Sequence, residues 1–169
     1  YTDLKKKIPR HIIDKINTYL NKFDFTFLIC GSYRRGNKES GDIDILIQED
    51  KHTLKSIIDL LTTEEFLTDH LTNNGKTKYM GICKIPSFEQ FMRIDIRLIA
   101  KNSFPFATLY FTGSKNNNTF MRNKAIELGY KLNEYQLIDK NDKSIKLKTE
   151  KDIFEILKLP YKTPELRNF

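Results

Sequence analysis

The 169 residues predict an α/β fold of the α+β kind, in which a sheet backed by helices is followed by a smaller mixed subdomain. Three observations predict it. Strand-like runs alternate with amphipathic helical runs over residues 1–102. From Ser103 onward the pattern changes to helices followed by short strands. Two of the early runs, Asp42-Ile43-Asp44-Ile45-Leu46-Ile47 and Arg93-Ile94-Asp95-Ile96-Arg97, set charged residues among apolar ones as half-buried strands do.

The elements follow in order. A first helix begins at Pro9, a favoured first-turn residue, and carries Ile12, Ile13, Ile16, Tyr19 and Leu20 at helical spacing. A strand is expected from Phe25 to Cys30, then a loop over Gly31-Ser32-Tyr33-Arg34-Arg35-Gly36 and a strand from Asp42 to Ile47. Leu54, Ile57, Ile58 and Leu61 mark a second amphipathic helix. Asn73-Asn74-Gly75 signals a hairpin turn between runs at 67–71 and 78–85. A strand from Phe91 to Ile99 carries Asp95. Beyond a boundary near Lys101–Ser103, helices are expected over 104–111 and 114–128, short strands over 130–132 and 135–138, and a last helix over 151–157.

Composition narrows the function. No apolar run approaches the roughly 20 residues that span a membrane, and Tyr1-Thr2-Asp3-Leu4-Lys5-Lys6-Lys7 has no secretory apolar stretch. A first residue other than Met points to an excised domain or a processed product. The net charge of +7 favours a polyanionic partner, although a Lys- and Asn-rich composition also arises from an AT-rich genome. Cys30 and Cys83 suit a reducing compartment, and with three His they form no zinc spacing. The expected setting is intracellular, nuclear or cytoplasmic.

Asp42 and Asp44 are the sharpest chemical feature. On a strand they point to one face, with α-carbons roughly 6.5–7 Å apart. Paired carboxylates repel unless a cation lies between them, and Mg²⁺ prefers carboxylate oxygens together with substrate phosphates. The plain alternative is two acids exposed on an edge strand. Asp95, from a neighbouring strand, would complete a site for two cations about 3.5–4 Å apart, the geometry of in-line phosphoryl transfer. Arg93 and Arg97 share its face and could hold the carboxylates, and by themselves these charges also read as a surface ion-pair ladder. Gly31-Ser32 lets backbone N–H groups approach a phosphate, and Arg35 offers a forked donor. Gly-Ser, Arg and Asp-x-Asp at this spacing form the signature of the nucleotidyltransferase superfamily.

At these residues the chain resembles the family X DNA polymerases, the family of DNA polymerase beta. Gly31–Gly36, Ser40-Gly41-Asp42-Ile43-Asp44 and Arg93–Ile99 look like its palm motifs. The likeness continues through Leu109-Tyr110-Phe111-Thr112-Gly113-Ser114, Asn118, Met121-Arg122, Gly129, Asn133-Glu134-Tyr135 and Glu150–Phe154, and covers nearly the whole chain.

The resemblance implies a palm at 1–102 and a nucleotide-selection subdomain at 103–169. It implies that Asp42, Asp44 and Asp95 bind two Mg²⁺, with Mn²⁺ able to substitute. Ser32, Arg35 and Gly41 would hold a deoxynucleoside triphosphate, with Arg10 as a further cation. Tyr110, Phe111, Gly113 and Asn118 would shape the nucleotide pocket, and Gly113–Ser114 would be a cis peptide. Lys78, Arg93 and Arg122 would contact DNA. Arg97, Glu134 and Tyr135 would link subdomain closure to the metal site. The implied partners are gapped or primer–template DNA and dNTP, with the chain a monomer and the setting DNA repair, including base excision repair.

Two departures qualify this. Lys115 stands where DNA polymerase beta has an acid after the Thr-Gly-Ser turn. The family's lyase and helix-hairpin-helix segments have no counterpart in these 169 residues, which predicts weaker binding to gapped DNA and no lyase activity. The rival readings are a template-independent or RNA-directed nucleotidyltransferase and a non-catalytic DNA-binding relative.

Overall fold

A computed structural model describes residues 2–72 and 75–169. In chain order the elements are β1 (Ile8–Pro9), α1 (Arg10–Leu20), β2 (Phe27–Ile29), α2 (Gly31–Arg34), β3 (Glu39–Ser40), β4 (Ile43–Gln48), α3 (Leu54–Thr63), β5 (Leu67–His70), β6 (Lys78–Ile85) and β7 (Phe88–Ile99), followed by α4 (Phe104–Thr112), α5 (Lys115–Glu127), β8 (Lys131–Leu132), β9 (Leu137–Ile138), β10 (Ser144–Ile145) and α6 (Glu150–Ile156). The main sheet has the order β2-β4-β7-β6-β5. Its central pair, β4 and β7, is parallel, and the other pairs are antiparallel.

Alternation along the central strands decides what each face of the sheet meets. Ile43, Ile45 and Ile47 of β4, with Ile94, Ile96 and Leu98 of β7, join Ile12, Ile13 and Ile16 of α1 and Ile57 and Leu61 of α3 in one buried cluster. The intervening residues point the other way. There Leu46 and Ile99 pack with Cys30 and with Ala107 of α4. Asp44 and Asp95 share that second face, beside the start of β4. The remaining buried cluster joins α4, α5 and α6 through Phe106, Leu109, Met121, Ala125, Ile153 and Phe154.

Local signals account for the helix starts. Thr53 caps α3 in a capping box with Ser56, Thr149 caps α6 with Asp152, and Ser114 accepts from the Asn117 N–H at the head of α5. Pro9 stands at the cap of α1.

The structure differs from the sequence reading in several places. The expected loop at 31–36 opens as a single helical turn, α2. Asp42 stands one residue before β4. The two-residue strands β1 and β3 pair with each other, and β10 pairs with β9. Such strands are too short to show alternation. Gly75 of the expected hairpin turn is exposed, and Asn73 and Asn74 lie outside the described residues. Both cysteines are buried thiols, and burial pushes the Cys30 pKa up to about 12.

Candidate active site

Register brings the acids together. Asp44 is the direct parallel partner of Asp95 across β4 and β7, and Asp42, two residues before Asp44, is near enough to feel the charge of Asp95. Parallel neighbours can align carboxylates that lie 51 residues apart in the chain only because residues 49–87 return the chain through α3 and the β5–β6 hairpin.

Two arginines fit between these acids. Arg97 donates from Nη1 to Asp44 Oδ1 at 2.7 Å, and its Nη2 lies 3.9 Å from Asp95 Oδ2. Arg93 Nη2 donates to Asp95 Oδ1 at 3.3 Å. The Arg97 guanidinium also stacks 4.1 Å from the Phe111 ring centroid, so α4 closes over the same group. Burial raises the Asp44 pKa above the usual carboxylate value, against the opposing charge and hydrogen bond of Arg97. The Asp42 pKa is also raised, by loss of water around the carboxyl and then by the charge of Asp95, although the residue as a whole is exposed.

Hard oxygen donors aligned in register, with two raised pKa values, are chemically suited to divalent cations. As the side chains stand, however, no three His, Cys, Asp or Glu groups among the described residues converge closely enough to hold a metal. Among these acids Asp44 is engaged by Arg97 at 2.7 Å and Asp95 by Arg93 at 3.3 Å.

The turn after β2 lies beside this cluster. Gly31 adopts φ +64°, and a β-carbon there would sit 3.6 Å from Asp44 Oδ2. Ser32 Oγ donates to Ser40 Oγ at 2.7 Å. Arg10 donates to the Tyr33 and Asn37 carbonyls at 2.6 and 3.3 Å and stacks on the Tyr33 ring, so it braces this turn from beneath. Arg35 reaches across to α4, where Nη1 donates to the Thr112 carbonyl at 2.6 Å. Gly113 has φ +71°, where any side chain would be strained, and a β-carbon there would come within 3.0 Å of Arg35 Nη1. The Gly113–Ser114 peptide is cis.

The expected nucleotide and template residues are partly gathered. Tyr110, Asn118 and Arg122 line one small cavity of about 90 Å³ together with Met121 and Asn133. Asn118 donates to the Tyr110 carbonyl at 2.7 Å, tying α5 to the end of α4. Gly41 is exposed just before Asp42, and Lys115 is exposed at the start of α5. Lys78 is exposed at the head of β6, in register with Arg97. Arg97 has Asp44, Asp95 and Phe111 as its described partners. Glu134 and Tyr135 are not among these, and Tyr135 is 58 % exposed. A cleft of about 800 Å³ between α3 and the β5–β6 hairpin includes Lys78 but none of the three aspartates.

Sequence reasoning passed over three groups here. The Lys7 ammonium would lie 3.8 Å from a β-carbon at Gly41, and its charge acts to lower the Asp42 pKa. Glu150 joins Arg34 to Arg167 in a buried ion triad. Asn168 holds Arg35. Lys7 could have been read from its distance to Asp42 only with β1–β3 pairing in hand, and the other two depend on contacts more than 100 residues apart in the chain.

Comparison with known proteins agrees with this geometry. The DNA polymerase beta palm family matches residues 5–101, and the DNA polymerase beta thumb family matches residues 107–168. The chain belongs to the family X DNA polymerases. It is 32 % identical to DNA polymerase lambda of Rattus norvegicus over 196 aligned positions, covering 100 % of this chain and 34 % of that protein. It is 29 % identical to DNA polymerase lambda of Arabidopsis thaliana, over 99 % of this chain and 38 % of the relative. It is also 29 % identical to the DNA polymerase/3'-5' exonuclease PolX of Bacillus subtilis (strain 168), over 95 % of this chain and 27 % of the relative. The chain thus spans about a third of the length of the relatives it matches.

Proposed function

We propose that this chain is the catalytic core of a templated DNA polymerase that adds dNMP to a DNA 3′-hydroxyl at short gaps, in DNA repair. The observation that carries the reading is the register of Asp44 with Asp95, beside Asp42, at the open end of a palm-type sheet. Residues 1–102 act as the palm and 103–169 as the nucleotide-selection subdomain.

Asp42, Asp44 and Asp95 would hold two Mg²⁺, or Mn²⁺ in their place, which when bound neutralise triphosphate charge. Asp95 would activate the primer 3′-hydroxyl by accepting its proton. That oxygen attacks the α-phosphorus, a new P–O bond forms, and the bond to pyrophosphate breaks. Ser32, Arg35 and Gly41 bind the triphosphate. Lys7, at the same rim, joins them as a cation, while Arg10 acts by holding the Tyr33–Asn37 backbone in place. Tyr110, Phe111, Gly113 and Asn118 shape the sugar and base pocket, Arg122 meets the template strand, and Lys78 and Arg93 face DNA phosphate. Arg97 is the switch. Its Nη1 holds Asp44 at 2.7 Å, and closure that draws Arg97 toward Glu134 and Tyr135 would free Asp44. The protein works as a monomer on gapped or primer–template DNA.

Primer extension on gapped DNA with Mg²⁺ tests this reading. The chain should extend the primer, and Asp95→Ala should lose extension with a thermal midpoint within a few degrees of the parent. Extension at the parental rate in Asp95→Ala would remove the metal assignment.

A further inference from the structure

The segment Arg167–Phe169 makes contacts that the proposed reaction does not yet use. Arg167 is fully buried, with Nη1 donating to Glu150 Oε2 at 2.7 Å and Nη2 to the Lys162 carbonyl at 2.9 Å. That anchor fixes the position of the next residue. Asn168 Oδ1 accepts from Arg35 Nε at 2.6 Å, and its Nδ2 donates to the Arg35 carbonyl at 3.0 Å and to Asn37 Oδ1 at 2.9 Å. The Ser114 N–H donates to the Arg167 carbonyl at 3.1 Å, and Ser114 Oγ donates to the Phe169 oxygen at 2.9 Å. The segment therefore joins the turn after β2 to the Gly113–Ser114 bend, and Arg35 spans the space between.

We propose that Asn168 is a positioning residue for nucleotide binding, acting through Arg35. A guanidinium has five N–H donors in one plane. Asn168 fixes the Nε edge of Arg35 and the Thr112 carbonyl fixes one Nη1 N–H, which sets that plane with the Nη2 end left to donate to a phosphate. The same amide grips the Arg35 backbone, so side chain and main chain are set by one group. Without Asn168 the side chain keeps its charge and loses its orientation. Buried Arg167 supplies the foundation, because it pins the backbone from which Asn168 projects.

This rests on Arg35 as a triphosphate ligand, and the test separates the two claims. In the full-length protein, dNTP affinity is measured with Mg²⁺ on primer–template DNA ending in a dideoxynucleotide, alongside kcat and KM for insertion and the thermal midpoint. Asn168→Ala should weaken dNTP binding roughly five- to thirtyfold. The loss should appear in KM more than in kcat, with the midpoint nearly unchanged. Arg35→Ala should weaken binding at least as much, and adding Asn168→Ala to it should cost nothing further. If Arg35→Ala weakens binding while Asn168→Ala does not, or if the two losses add, Asn168 does not act through Arg35. If Arg35→Ala itself leaves dNTP affinity unchanged, the triphosphate role of Arg35 fails and the positioning role fails with it.

Discussion

Arg97 joins two elements at the candidate site. Its Nη1 holds Asp44 at 2.7 Å and its plane rests on Phe111, so one group on β7 contacts both β4 and α4. Arg122 is the proposed contact on the template side. It shares a small cavity with Tyr110 and Asn118, and Asn118 lies one helical turn before it. From there it can donate to minor-groove acceptors, which occur at similar positions in every correct pair. A charged hydrogen bond of this kind contributes about 1–3 kcal/mol, roughly five- to a hundredfold in rate. Arg122→Ala should therefore lower kcat/KM for the correct nucleotide by a factor in that range and narrow discrimination, measured by insertion of each of four nucleotides opposite one template base. Equal loss for all four would show that Arg122 makes no template-side contact. The aspartates were legible in the sequence because alternation on a strand needs only adjacent residues. Asn168 was not, since its side chain has meaning only beside Arg35, 133 residues away in the chain.

At the scale of elements, α2 and α6 are joined by the ion triad Arg34–Glu150–Arg167. Arg34 donates to both Glu150 oxygens, at 2.6 and 3.0 Å, and also to Thr112 Oγ1 at 2.8 Å, which brings α4 into the joint. Burial alone would raise the Glu150 pKa, but the hydrogen bonds and charges of Arg34 and Arg167 outweigh it and hold the value below 4.5. A carboxylate whose pKa is depressed by folding stabilises the fold fully above its unfolded value and loses that contribution as pH falls through its folded value. The stability of the chain should thus decline below about pH 4.5, and Glu150→Gln should remove part of that decline. At neutral pH the same change leaves a buried arginine without its charge partner and should destabilise by roughly 3–5 kcal/mol, measured by urea denaturation. An unchanged denaturation midpoint would show that the triad is not a structural joint. The long elements were readable because α1, α3 and β7 each repeat their apolar residues at the right period. The pairs β1–β3 and β9–β10 were not, because a two-residue strand exists only through its partner.

At the scale of the whole molecule, the net charge of +7 coexists with a cluster of acids at the end of the sheet. The proposed function predicts that DNA binds through lysine and arginine contacts to phosphate. Binding to gapped duplex, followed by fluorescence anisotropy, should weaken with salt at a log–log slope of about −0.9 per phosphate contacted. An affinity that does not move between low and physiological salt would contradict a phosphate-led interface. The sheet backed by helices and the pairing of Arg93 and Arg97 with the acids were legible in the alternation of charged and apolar residues, whereas the parallel register of Asp44 with Asp95 depends on strand pairing across 51 residues, which no local pattern encodes. Templated insertion lies at the centre of the account. Its most direct measurement offers each dNTP singly, with Mg²⁺, to a one-nucleotide gapped duplex and to the primer strand alone. The nucleotide complementary to the template base should be added fastest on the gap, changing the template base should change which nucleotide wins, and the unpaired primer should be extended far more slowly. Addition at the same rate with and without a template, or with no preference for the complementary nucleotide, would contradict it and leave an untemplated nucleotidyltransferase in its place.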